Sequence, residues 1–142
     1  MFFHNKRKCH IVDEGENSLV VNMKRTAECN NAYRAALWTG KYLQAALMQI
    51  NILDDIGLEN HPESDQFIMV SSGIGIVSLG DRRDKMTIHQ KVKSGDGIFI
   101  PAGKWHNISN IGKKPLKLIS FYAPPHHPKG TNQPRKKDAK KS

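Results

Sequence analysis

The chain of 142 residues predicts an all-β domain, and three observations carry that prediction. Apolar and β-branched residues recur in short runs rather than at helical spacing; turn residues, eleven Gly and seven Pro among them, separate the runs; and the length suffices for one modest core. Short strands with turns at this spacing build a sandwich or barrel of antiparallel sheets. No internal repeat suggests a solenoid.

Taken in order, residues 17–32 hold the one short helix, with Asn22 as its cap and Asn30-Asn31 as its end. The stretch from Tyr42 to Leu53 is apolar enough for a helix, but Gln44, Gln49 and Asn51 fix no period, so its type stays open. Gln66 to Val70 is a compact run of β-formers, and Gly73 to Leu79 follows a turn at Ser71-Ser72. Gly80-Asp81 and the charged cluster Arg82 to Lys85 form a hairpin tip. Met86 to Val92 then alternates Met86, Ile88 and Val92 against Thr87, His89 and Lys91. Turns at Ser94–Gly97 and Pro101–Gly103 bracket Ile98–Ile100, and His106–Asn110 and Leu116–Tyr122 are two more strands.

A formal charge of +9 invites nucleic acid as a partner, but its distribution argues against one. Residues 126–142 carry +5 and residues 1–10 carry +3, which leaves +1 for residues 11–125. The surplus sits in two arms expected to be mobile, and no aromatic interrupts the C-terminal run to stack on bases. Cys9 and Cys29 show no metal-binding spacing and read as free thiols in a reducing cytoplasm. No apolar stretch is long enough for a signal peptide or a membrane span, so the expected location is cytoplasmic, without a membrane partner.

Glu59 and His61 stand two apart, which puts both side chains on one face of an extended segment, and Pro62 keeps His61 out of the helical region. A bend over Pro62–Asp65 would start a strand at Gln66 and turn it back toward them. His106 follows the Pro101–Gly103 turn, and in a closed sheet its strand can lie beside the first. His89 alternates with Ile88 and is expected to face solvent. His126-His127, in Ala-Pro-Pro-His-His-Pro, reads as a loose surface segment in preference to a polyproline-like bend folded over a barrel mouth, and His4 and His10 fall in the N-terminal arm. Trp105 is a pocket wall or core residue; Lys104, Asp65 and Glu63 lie beside these positions as surface groups.

Gly95, Pro101, Gly103, His106 and Asn110 fill the spacing of the second cupin motif, and Glu59, His61, Gln66 and Gly73 resemble the first. The resemblance to cupins covers roughly residues 35–125. It implies a double-stranded β-helix, a jelly-roll barrel, preceded by an arm over 1–34 and followed by a basic tail over 126–142. It also implies a divalent metal inside the barrel and pairing into homodimers. The first motif departs from the family pattern: Glu59 replaces its first His, Gln66 its Glu, and Leu53 its leading glycine. Carried over by position, the ligands become Glu59, His61, Gln66 and His106, a set whose donor types resemble those of the zinc-dependent phosphomannose isomerases.

Two imidazoles and a carboxylate suit Zn, Fe, Mn or Ni. The alternative is a polar barrel without metal, in which buried Glu59 would lack a compensating cation. The expected function is a metal-dependent enzyme on a small oxygenated substrate, with mannose-6-phosphate isomerase-like chemistry. An iron-dependent dioxygenase and a binding module that holds a small ligand without turnover are the other readings.

Overall fold

The structure, a computed structural model, describes residues 9–139. His4, the basic run Lys6 to Lys8, Lys140 and Lys141 lie outside the described residues. Helix α1 spans Met23–Cys29. The strands are β1 (Arg34–Thr39), β2 (Gln44–Ile50), β3 (Asp65–Ser72), β4 (Ile74–Arg82), β5 (Lys85–Lys93), β6 (Gly97–Ile100), β7 (Trp105–Asn110), β8 (Leu116–Ala123) and β9 (Asn132–Gln133). They form two antiparallel sheets, ordered β6-β3-β8-β2-β1-β9 and β5-β4-β7. The double-stranded β-helix and its short N-terminal helix are therefore as expected.

Between the sheets lies one core. Met48, Ile50, Ile68, Val70, Leu116 and Leu118 from the larger sheet meet Val77, Val92 and Ile108 from the smaller one. Gly73 marks the passage from β3 to β4. Its φ of +100° is in the left-handed region, and a Cβ there would stand 3.0 Å from the backbone of Leu116.

The undecided segment after Tyr42 is strand β2, because both of its faces are covered. Gln44, Ala46, Met48 and Ile50 share a face with Tyr122, Ser120, Leu118 and Leu116 of β8, their register partners. Ala45 and Leu47 face the other way, against Ala27, Met23, Leu37 and Ile119. A strand buried on two sides loses the polar alternation that would declare its period.

Asn22 caps α1 by accepting from Arg25 N at 2.9 Å, and the helix ends at Asn30, whose N–H returns to Thr26 and Ala27. Lys117 donates to the Asn30 carbonyl at 2.5 Å, which fixes the helix end on β8. Cys9 and Cys29 form a disulfide with a Cα separation of 5.6 Å. This corrects the reading of two free thiols: a sequence separation of 20 hides a pair that the arm brings side by side.

The chain after β8 returns to the fold. Asn132 and Gln133 pair with Ala35 and Arg34 as the edge strand β9, and Lys136 bridges Asp54 and Asp55 at 3.0 and 2.7 Å. These partners take part of the basic segment's charge into the fold.

Candidate metal centre

Backbone hydrogen bonds bring the first and second motifs together. Glu59 N–H donates to the His106 carbonyl and His106 N–H to the Glu59 carbonyl, both at 2.9 Å, in an isolated antiparallel bridge. Directly opposed residues in such a pair send their side chains to the same face, here the barrel interior. His61 is two residues further along, and its carbonyl accepts from Ser64 N at 3.3 Å and Gly103 N at 3.1 Å. The Pro62 bend and the Pro101–Gly103 turn thus hold each other in place.

Three side chains converge there. Oε1 of Glu59 lies 3.3 Å from Nε2 of His61 and 3.9 Å from Nε2 of His106, and one donor atom from each residue falls within 4.8 Å of the others. Donors about 2.1 Å from a shared cation stand about 3 to 4 Å apart, so the arrangement fits a divalent metal. Gln66 is buried on β3; its Nε2 donates to Ser120 Oγ at 2.8 Å, while its Oε1 is buried without a partner.

Electrostatics prepare the donors. Burial raises the Glu59 carboxyl, but contact with His61 and the charges of Arg34, His61 and His106 outweigh it and hold the group at about 2. Burial lowers His106, which the Lys104 carbonyl only partly opposes. That carbonyl, 3.0 Å from Nδ1, can only accept, so Nδ1 carries the proton and neutral His106 presents the Nε2 lone pair to the interior. His106 Nε2, buried without a hydrogen-bond partner, therefore faces the Glu59 carboxylate as a second acceptor.

Glu59 has a second partner. Its Oε2 accepts from Arg34 Nη2 at 3.3 Å, and Arg34 is 2% exposed. The expectation that a metal-free Glu59 would lack a cation is thereby corrected: β1 supplies a guanidinium on the side away from the imidazoles.

A family model described as "Cupin domain" matches residues 47–122, more than half of the chain. The chain belongs to the cupin domain family. It is 46% identical over 136 residues to the uncharacterized protein YrkC of Bacillus subtilis (strain 168), covering 96% of this chain and 73% of YrkC. It also resembles the crystal structure of BH2720 from Bacillus halodurans, with a TM-score of 0.89 at 47% identity, covering 90% of this chain and 97% of that one.

Several residues of this cupin site were not marked by its motifs. Gln44, fully buried on β2, accepts through Oε1 from the N–H groups of His126 and His127 at 3.1 and 3.0 Å and donates from Nε2 to the His127 carbonyl at 2.8 Å. That grip lays the His126 ring 4.0 Å from the His61 ring and the His127 ring 5.1 Å from Tyr122, centroid to centroid. The expected loose surface segment is instead a wall of the site. Burial, with the charge of Arg34, pushes His127 down to about 3, and burial lowers His126 as well. Only the composition of the His-His pair between prolines hinted at these contacts.

The remaining candidates stay outside. His89 is exposed and bonds Ser78 Oγ and the Met86 carbonyl. Glu63 and Asp65 are exposed, and Asp65 accepts from Ala102 N. Lys104 pairs with Asp81 at 2.5 Å, and His10 is exposed. Trp105 alternates with His106 on β7, so its side chain points away from the interior, where Arg83 lies 5.8 Å over its ring. No helix among the described residues is long and apolar enough to cross a membrane.

Proposed function

We propose that this cupin is a metal-dependent enzyme acting on a small oxygenated substrate, with Glu59, His61 and His106 as ligands and the Gln66 amide oxygen as a fourth. The observation that carries the reading is the buried Nε2 of His106, which has no hydrogen-bond partner and lies 3.9 Å from Oε1 of the Glu59 carboxylate. A cation satisfies both, together with His61 and the unpartnered Gln66 oxygen.

When bound, a divalent cation supplies Lewis acidity to a carbonyl or hydroxyl oxygen of the substrate. The protein's part is to hold the donors: Glu59 stays ionised, His106 keeps its tautomer through Lys104, and Gln66 is anchored by Ser120. His126, exposed to solvent, with its ring 4.0 Å from that of His61 and tilted against it, and held below the usual imidazole range, is the neutral base placed beside the ligand set for a proton transfer. His127, at about 3, is too weak a base for that step near neutral pH and serves as a wall. This division of roles favours redox-neutral, isomerase-like chemistry on a sugar, keto acid or enediol.

The test is elemental analysis of protein purified without chelator, wild type beside His61→Ala and His106→Ala, with thermal unfolding to confirm that each folds. The expected result is about one equivalent of metal in the wild type and at least a tenfold loss of affinity in each variant. Substoichiometric metal in all three would overturn the metal reading. For the substrate class, Mn²⁺-loaded protein is titrated with sugars, keto acids and enediols while its electron paramagnetic resonance signal is followed. A perturbed signal supports direct coordination of the ligand, and an unchanged one across the panel excludes the class.

A further inference from the structure

The carboxylate at the centre of the site is held from behind by a chain of two residues that lie outside the family-matched segment. Arg34, on β1, donates from Nη2 to Glu59 Oε2 at 3.3 Å and from Nη1 to Gln133 Oε1 at 2.9 Å. Gln133 is the register partner of Arg34 on β9, so the strand pair itself places the amide against the guanidinium. Nη2 also lies 4.0 Å from the sulfur of Met48. Arg34 is thus fixed at both ends of its planar fork, and a fork so fixed holds its carboxylate in one orientation.

We propose that Gln133 and Arg34 are positioning residues that turn Glu59 so that Oε1 faces His61 and His106. The inference rests on the metal-binding reading for its consequence, though not for its geometry. Burial strengthens the argument: Arg34 is 2% exposed, so a guanidinium released from Gln133 could not find water to replace it without moving. The C-terminal segment then has a defined task. After β8 it crosses the site with His126 and His127, held by Gln44, and finishes in the edge strand that carries Gln133.

Arg34 is a poor first target for substitution. Arg34→Met would remove both the hold on Glu59 and a positive charge that opposes a cation, two effects of opposite sign on metal affinity. Gln133→Leu keeps the charge and removes only the far anchor. In calorimetric titration with Zn²⁺ or Mn²⁺, Gln133→Leu is expected to weaken binding by at least about threefold and up to the roughly tenfold that loss of a ligand's direct partner costs. In a Glu59→Ala background the same substitution is expected to change affinity less than twofold, because the group it orients is gone. Arg34→Lys, which keeps the charge but not the fork, is expected to weaken binding as Gln133→Leu does.

Equal losses from Gln133→Leu with and without Glu59 would reduce its effect to general destabilisation and overturn the proposal, as would wild-type affinity in Arg34→Lys. A crystal structure of metal-free Gln133→Leu provides the readout independent of metal. The expected result is a Glu59 side chain rotated so that Oε1 no longer lies beside His61 Nε2; an unchanged Glu59 overturns the positioning role. Should the wild type bind no metal, the metal reading falls, and this structure still decides what Gln133 does.

Discussion

Leu53 shows how a single residue records a departure from the family pattern. It stands where the first motif has its glycine, and its φ is +67°, in the left-handed region that L-residues with a Cβ enter at a cost of about 1 to 2 kcal/mol. At 93% exposure its side chain recovers almost none of that through burial. Leu53→Gly is therefore expected to stabilise the protein by roughly 1 kcal/mol after the extra chain entropy of glycine is subtracted, read as a higher urea midpoint at unchanged slope. A lower midpoint would overturn the assignment of backbone strain to Leu53. Glu59 and His61 were legible because proline excludes helix and alternation shares a face, and His106, far along the chain, was set beside them by the resemblance to the second cupin motif. Arg34, Gln44 and Gln133 were not, since their site partners lie 25, 83 and 99 residues away and no local spacing points at them.

At the scale of elements, legibility followed solvent. Strands with one wet face, such as β7 with its alternating burial, showed their period in the sequence, whereas β2, whose interior row lies in the core between the sheets and whose outer row packs under α1, did not. Helix α1 was legible from its caps alone. With seven residues it is too short to persist in water by propensity, so its stability comes from packing on the outer face of the larger sheet and from the Cys9–Cys29 link at its last residue. Closing a loop of that sequence separation contributes about 3 kcal/mol in the chain-entropy account. Cys9→Ser, or reduction of the wild type, is expected to lower the unfolding free energy by that amount in urea titration. Metal content should be unaffected, because the link lies on the sheet face opposite the site. A coincident loss of bound metal would show that α1 and the barrel interior are coupled.

For the molecule as a whole, the basic total describes the flanks, and the site's own charge balance governs its response to pH. The Glu59 carboxyl is held at about 2 against an ordinary 4.5, so the folded state binds its proton later than the unfolded chain does. Its contribution is complete above about pH 4.5 and is lost as pH falls toward 2. His127, held at about 3 against an ordinary 6.5, acts in the same direction but earlier: below about pH 6.5 the unfolded chain takes up a proton that the folded protein refuses. His106 and His126, both lowered by burial, add to this. The three imidazoles and the carboxylate therefore predict one monotonic loss of stability on acidification, beginning near pH 6.5 and steepening below 4.5, on the order of several kcal/mol in total. Chelator-treated protein unfolded in urea at steps from pH 8 to pH 3 measures it, and His127→Phe should flatten the upper part of the curve while leaving the lower part to Glu59. Bound metal should steepen the same dependence, since protons compete with it for the ligands. A stability that stays level between pH 7 and pH 4 would show that His127 and His106 titrate as they do in the unfolded chain, and would overturn their burial as the source of the pH dependence.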